Sequence, residues 1–472
     1  MIAQVHIDAL SNMFGPKGST TDQNVIAPHL EEWRSKYFGK TQIMLLPSTT
    51  EEVAKAVTYC NTHNIAIVPQ GGNTGLVGGS LPGLADRDEI LISTKRLNKL
   101  IKIDAADYSL TADAGCTIAE LQQAAAQVDL LFPLSLASEG SCTVGGVVST
   151  NAGGVHVVRY GTVRSLTAGL EAVLPNGDIY SGLSSLRKDN TGYALDQLLV
   201  GAEGTLGIIT KATFRLFPAE RQKHTFWLGV ETPATALKLL AEAREITGDR
   251  VSVFEFMPHI GLELVLKHIP ATVSPLTGDH PWYILLEVAT SANDKHLNEQ
   301  LDTWISSAFE RNLIRDGAAA QSHSQAASFW RLRESMSEAQ KLEGGSIKHD
   351  ISVPVSNVPA FLEEATTVIV NAYPDCRPTP FGHLGDGNIH FNIMQPKAAD
   401  KAEFLAHWDH MNQMVHDIVG HYGGSISAEH GIGSMKRAEL KRTKQATTLM
   451  AMKAIKKALD PNNIMNPGVL FD

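Results

Sequence analysis

The 472-residue sequence predicts an α+β protein of two or three domains, because a chain this long exceeds what one core supports. Three features carry that reading. The first half alternates short apolar strands with helices and crowds its glycines into the segments 69–79 and 133–154. From about residue 222 glycine thins out, and longer helices alternate with strands, the pattern of an antiparallel sheet carrying helices on one face. Two histidine-bearing segments, 381–390 and 427–433, then gather polar residues that packing alone does not require.

The elements follow in order. Thr49-Thr-Glu-Glu52 has the spelling of a capping box and opens a helix through Cys60, with a short buried strand Ile65–Pro69 after it. Leu91–Ser93 and Ser109–Asp113 read as strands, and the alanine-rich Ile118–Gln127 as a helix. Glycines then punctuate the strands Gly169–Leu174 and Gly207–Lys211, and Pro218 closes the region. Beyond it come a helix Pro233–Ile246, a strand Trp282–Val288 and a helix Phe329–Leu342. A helix Thr447–Leu459, the turn Asp460-Pro-Asn-Asn463 and an extended tail Ile464–Phe471 end the chain. No internal repeat or low-complexity tract interrupts this order.

Composition narrows the function. With 43% hydrophobic and 19% charged residues the chain has the balance of a folded enzyme, and no uninterrupted apolar run is long enough for a membrane span. A net charge of −10, with no basic run interleaved with aromatics, argues against nucleic-acid binding. Cys60, Cys116, Cys142 and Cys376 are scattered without a C-x-x-C pair, so neither a disulfide framework nor a cysteine metal site is expected. The first ten residues lack the basic start and apolar core of a signal peptide and the arginines of a transit peptide. A cytoplasmic address is therefore the expectation.

The glycine-dense segments suggest a cofactor. Pro69–Gly79 follows a strand directly, and its successive N–H groups suit an anion-binding nest for a diphosphate. It matches neither G-x-G-x-x-G nor the P-loop spelling, so a Rossmann or P-loop fold is not supported. In Pro133–Gly154 small residues let backbone lie against a flat ring, while Ser138, Ser141, Ser149 and Asn151 supply polar edges. Together the two segments suit an elongated dinucleotide with a fused ring, flavin ahead of nicotinamide.

The histidine segments suggest metal and acid/base chemistry. A strand over Asn388–Ile393 puts Asn388, His390 and Asn392 on one face and Ile389, Phe391 and Ile393 on the other. Gly382, Gly385 and Gly387 let the preceding loop fold tightly and return His383 beside His390. Some forty residues later Glu429-His430 offers a carboxylate next to an imidazole. Two imidazoles and a carboxylate suit zinc or manganese with open positions for substrate. Singly, each of these 18 histidines is more often a solvated or packed side chain than a ligand.

Seven ordered motifs now carry a resemblance. They are Pro69–Gly79, Ala137–Gly154, Arg159–Gly161, Gly201–Ile209, Gly382–His390, Glu429–Gly433 and Asn466–Gly468. From about residue 40 onward the chain resembles the FAD-dependent 2-hydroxyacid dehydrogenases of the vanillyl-alcohol oxidase/p-cresol methylhydroxylase superfamily, in the D-2-hydroxyglutarate and D-lactate branch. The resemblance implies an FAD-binding domain of two α+β subdomains over 1–218 and a substrate (cap) domain with an antiparallel sheet over 219–422. It also implies a C-terminal segment, 423–472, that returns to complete both sites. Carried over motif by motif, Gly71, Gly72, Asn73, Thr74, Gly75, Gly78 and Gly79 hold the diphosphate. Ser138, Gly140, Ser141, Gly145, Gly146, Ser149, Asn151, Gly154, Glu203, Gly204, Ile209 and Asn466 line adenosine, ribityl or ring. Some relatives tether the flavin to a histidine in the first loop; here that place reads Gly71-Gly-Asn-Thr74, so non-covalent FAD is implied.

The same resemblance makes His383, His390 and Glu429 ligands of a divalent metal (zinc first, manganese or cobalt as alternatives) and His430 the catalytic base that also meets substrate. The chemistry is consistent: oxidising a 2-hydroxyacid sends the hydroxyl proton to a base and hydride from Cα to flavin N5. A chelated metal lowers the hydroxyl pKa, as zinc lowers water from about 16 to about 7. Imidazole, titrating at about 6.5, is then a competent acceptor.

Substrate anchors read separately. Arg333 and Ser337, four apart on the helix Phe329–Leu342, share a face, and Arg333 suits a bidentate carboxylate contact. Lys348 alternates with Ile347 and His349 in a strand Ser346–Ser352 and adds a second cation. With Asn392 these positions match the substrate pattern of the D-2-hydroxyglutarate branch, except that threonine is usual where Ser337 stands. Two cations favour a dicarboxylate, hence D-2-hydroxyglutarate; D-lactate or glycolate oxidation is the alternative within the family. A metal-dependent hydrolase and a non-catalytic flavin-binding subunit are the alternatives outside it. Electron-transferring flavoprotein, quinone and cytochrome all remain open as electron acceptors, and a homodimer is the default assembly.

Overall fold

The structure, a computed structural model, describes residues 1–85 and 87–471. The chain divides into two compact units, one of 1–154, 161–219 and 429–472, the other of 155–160 and 220–428. The division near 219 lies one residue from the sequence boundary at 218. The later one lies at 428/429 rather than 422/423, and the short piece 155–160 has no counterpart in the sequence reading.

In the first unit, Met44–Leu45, Glu89–Ser93 and Ala66–Gln70 run parallel, with Ser19–Thr20 antiparallel at one edge. The helices Gln4–Gly18 and Thr50–Thr62 bury Ile7, Leu10, Val53 and Val57 in the same core as Ile67, Ile90 and Ile92. A second, antiparallel sheet has the order Leu100–Asp104, Ser109–Asp113, Ile208–Arg215, Thr167–Val173, Ile179–Ser181. The C-terminal tail joins the first sheet. Ile67 N–H donates to Ile464 O at 2.8 Å, and Asn466 N–H donates to Ile67 O at 2.8 Å.

The capping box is not where the spelling put it. Thr49 Oγ1 does accept from Glu52 N–H, but the Glu52 carboxylate takes Ser48 N–H at 2.6 Å instead of the cap residue's own. The reciprocal pair forms at Thr117 and Glu120, ahead of the helix Ile118–Gln127.

The second unit is built on an eight-stranded antiparallel sheet. Its path is Asp316–Ala319, Gln222–Val230, Trp282–Thr290, Val251–Pro258, Arg377–His383, Asn388–Met394, Ser346–Ile347, with Ile351–Ser352 also pairing Asn388–Met394. Helices cover both faces, not one. Pro233–Thr247, Lys295–Glu310, Val358–Ala372 and Trp408–His421 pack on one, and His259–His268, His323–Glu334 and Met336–Lys341 on the other. The reason is legible in burial: every residue of Val251–Pro258 is buried, so both of its faces need a covering layer. Ile389, Phe391 and Ile393 are fully buried in the first of these cores. Each contributes about 1.5–3 kcal/mol by burial. A one-residue slip would expose all three, which fixes the register of the hairpin Arg377–His383/Asn388–Met394.

Two elements read as continuous are broken. Phe329–Leu342 is two helices, ending at Glu334 and restarting at Met336. Ser346–Ser352 is two short strands separated by Lys348, His349 and Asp350. All four cysteines are buried free thiols. Among the described residues no helix is long and apolar enough to cross a membrane.

Candidate active site

The first unit holds a cavity of about 290 Å³ between its two glycine-dense segments. Their backbones meet directly. A Cβ on Gly72 would lie 2.0 Å from Ser141 O, and one on Gly71 would lie 2.4 Å from Thr143 Oγ1. Only glycine permits that approach, which leaves Gly71–Gly75 along the cavity wall. Thr143 Oγ1, which also lines the cavity, is buried without a hydrogen-bond partner in the protein. A lone hydroxyl facing a glycine-walled cavity fits a polar, flat ligand such as a flavin dinucleotide.

Gly71, Gly72, Asn73, Thr74, Gly75, Gly79, Ser138, Gly145, Gly146, Ser149, Glu203, Gly204 and Ile209 line this cavity, as do Glu429 and His430. Gly78, Gly140, Ser141, Asn151, Gly154 and Asn466 do not, and most of them shape the backbone around it. Asn151 is the left-handed cap of the helix Val144–Thr150. Gly154 packs on Ser135 O so closely that a Cβ would sit 1.9 Å away. Asn466 Nδ2 donates to Gly79 O at 2.8 Å and to Glu203 O at 2.7 Å, tying the tail to two cavity loops.

Glu203 holds the segment that carries Glu429 and His430. Its carboxylate accepts Ile432 N–H at 2.9 Å and Gly433 N–H at 2.7 Å. Burial raises its pKa, and those two N–H groups offset only part of the rise. Gly431, at φ +80°, lies where a Cβ would press on the same carboxylate at 2.9 Å.

The second unit presents a polar face on the other side of the hairpin from Ile389, Phe391 and Ile393. Opposed residues of antiparallel strands share a face, and Glu255 opposes His383 while Phe381 opposes His390. The His383 and His390 rings lie with centroids 5.5 Å apart, His383 buried and His390 half-buried. Glu255 is fully buried between two partners. Its Oε1 lies 2.5 Å from His383 Nδ1, and its Oε2 accepts from Arg333 Nε at 2.7 Å and Nη2 at 2.6 Å. Burial disfavours the carboxylate, but the Arg333 charge and His383 outweigh it, so the Glu255 pKa lies below the ordinary glutamate value. Arg333 also stacks 4.8 Å over the Phe381 ring.

Of the predicted anchors, Arg333 is buried on this face and Ser337 is exposed on the following helix, so the break at Ser335 ends their simple four-residue relation. Lys348 is half-buried just after the strand Ser346–Ile347. Asn392, also buried, donates through Nδ2 to Gln340 Oε1 at 2.8 Å. Sequence reasoning missed Glu255 and Thr143. Glu255 left a signal, a single acid inside the apolar run Val251–Met257; Thr143 left none among its many small neighbours.

Comparison with known proteins identifies the family. Residues 41–182 match the model of an FAD binding domain, and residues 219–470 match that of the FAD linked oxidases, C-terminal domain. The chain is 36% identical over 98% of its length to the mitochondrial D-2-hydroxyglutarate dehydrogenase of Arabidopsis thaliana, covering 80% of that protein. It is 36% identical over 93% of its length to the D-2-hydroxyglutarate dehydrogenase of Xanthomonas citri pv. viticola, covering 91% of it. Among solved structures it superposes on p-cresol methylhydroxylase with a TM-score of 0.76 at 17% identity, covering 98% of this chain and 96% of the other, a likeness of fold. The metal-dependent hydrolase alternative is thereby set aside. With the cavity, the glycine walls and these matches together, the chain belongs to the FAD-linked oxidase family that contains the D-2-hydroxyglutarate dehydrogenases, and is an FAD-dependent hydroxyacid dehydrogenase of the vanillyl-alcohol oxidase/p-cresol methylhydroxylase fold.

Proposed function

We propose that the enzyme oxidises D-2-hydroxyglutarate to 2-oxoglutarate. The observation that carries the proposal is the polar face of the second unit, where a buried arginine and two imidazoles stand together in a chain 36% identical to enzymes of that name. In this reading Arg333 grips the carboxylate beside the hydroxyl and Lys348 the distal one. Asn392 and Ser337 complete the substrate contacts. His430 accepts the hydroxyl proton, which it can do only while it is not itself a metal ligand. Bound FAD supplies the hydride acceptor, through N5. His383, His390 and Glu429 are the residues that would hold a divalent metal, zinc first, and such an ion would acidify the hydroxyl. The donor set suits it: Nδ1 of His383 is directed at the Glu255 carboxylate, the outer-shell contact usual for a metal-bound histidine, and Nε2 would be the coordinating atom. An electron-transferring flavoprotein or a quinone would be the class of acceptor that takes the electrons onward.

The test is anaerobic bleaching of the flavin band near 450 nm on zinc-replete protein, with D-2-hydroxyglutarate and D-lactate in separate samples. Rapid bleaching by the dicarboxylate alone is expected. Bleaching by D-lactate alone would keep the chemistry and overturn the substrate, and a flavin that neither acid reduces would overturn both.

A further inference from the structure

We infer that Glu255 is the positioning residue of the active site, one carboxylate that sets both the tautomer of His383 and the orientation of Arg333. The inference rests on the metal-binding reading of His383 given above.

Glu255 lies in the strand Val251–Pro258, directly opposite His383. Its two oxygens serve different partners: Oε1 faces His383 Nδ1, and Oε2 takes both Nε and Nη2 of Arg333. Arginine can only donate, and a carboxylate paired with it can only accept. Nδ1 therefore carries a proton, and in the neutral imidazole Nε2 is the ring nitrogen that would offer its lone pair to a metal. The same carboxylate grips one edge of the guanidinium over the Phe381 ring. That grip leaves the Nη1 edge outside the pair and holds the plane at a set angle for a substrate carboxylate. Glu255 is 0% exposed, so it has no role at the surface and touches substrate only through these two neighbours.

The substitution Glu255→Gln separates shape from chemistry. Glutamine has nearly the same volume but only one acceptor oxygen. Arg333 must keep that oxygen, since both of its contacting groups donate. The amide NH₂ then faces Nδ1 of His383 and forces the proton onto Nε2, where a metal would bind. Glu255→Asp is shorter and packs less well, yet keeps two acceptors.

The experiment titrates Zn²⁺ calorimetrically into metal-stripped, flavin-loaded protein: wild type, Glu255→Gln, Glu255→Asp and His383→Ala. Alongside it, ¹⁵N spectra of histidine-labelled wild type and Glu255→Gln read the His383 tautomer, assigned by the signal lost in His383→Ala. Wild type should carry the proton on Nδ1, and Glu255→Gln on Nε2. Zinc affinity should fall about 10–100-fold in Glu255→Gln, the usual loss for an outer-shell partner of a metal-bound histidine, and less in Glu255→Asp. A purely structural role predicts the reverse order, because glutamine preserves the packing better than aspartate. Zinc binding in Glu255→Gln as tight as wild type, or a wild-type proton on Nε2, would overturn the inference and leave the metal reading standing. Equal zinc affinity in wild type and His383→Ala would overturn the metal reading itself. Should neither Glu255 variant fold, the wild-type tautomer alone decides.

Discussion

Individual side chains carry the sharpest consequences. Arg333 and Glu255 form a buried pair in which each charge is tolerated because of the other. Arg333→Ala leaves the carboxylate buried with only His383 beside it. Urea denaturation should show a loss of about 3–5 kcal/mol, the usual result of removing one partner of a buried pair. The KM for a 2-hydroxyacid should rise as well. Glu89 poses the opposite case. Burial raises its pKa to about 7, and neither Gly83 N–H nor the charge of Arg87 brings it back. A carboxyl with a folded pKa above its unfolded value of 4.5 keeps its full stability contribution below pH 4.5. It loses that contribution as pH climbs towards about 7, because the unfolded chain ionises first. The loss amounts to up to about 3 kcal/mol at about 1.4 kcal/mol per pH unit. Urea melts at pH 5 and pH 7.5 should show this fall in wild type and a flatter response in Glu89→Gln.

At the scale of elements, the cavity exists because two glycine-dense segments touch backbone to backbone. Gly72→Ala places a methyl 2.0 Å from Ser141 O, a contact that cannot be relieved by turning a side chain. One segment must retreat, at a cost of about 1–3 kcal/mol. Expressed as flavin affinity this is a loss of roughly 5–150-fold. The purified variant should show a lower ratio of absorbance at 450 nm to that at 280 nm, recovered by added FAD.

For the whole molecule the division of labour between units is the useful fact. The cavity attributed to flavin is lined wholly by residues of the first unit, Glu429 among them, whereas His383 and His390, two of the three proposed metal ligands, belong to the second. Chelation of the proposed metal should therefore leave the 450 nm band intact while substrate bleaching slows by at least tenfold, and added Zn²⁺ should restore the rate. Flavin lost in step with the metal would contradict the separation.

The sequence by itself determined the class and the cofactor half, because those depend on local pattern, while its resemblance to a family supplied most of the candidate residues. The alternation in Asn388–Ile393 emerged as a strand with one fully buried face, and the glycine runs emerged as a cavity wall. Helix starts were legible only as spelling: Thr49 caps its helix, yet the reciprocal box forms at Thr117, where the glutamate has no competing N–H such as that of Ser48. Tertiary structure alone decided what crosses between elements. Periodicity does not count layers, so the second covering of the sheet was invisible until Val251–Pro258 proved buried on both faces. Nor does it show which distant group will claim a charge. Glu255, 78 residues from Arg333 and 128 from His383, joins them only because antiparallel pairing and a covering helix bring three segments to one face. Local pattern is set by neighbours along the chain; a buried carboxylate is set by partners that only folding supplies.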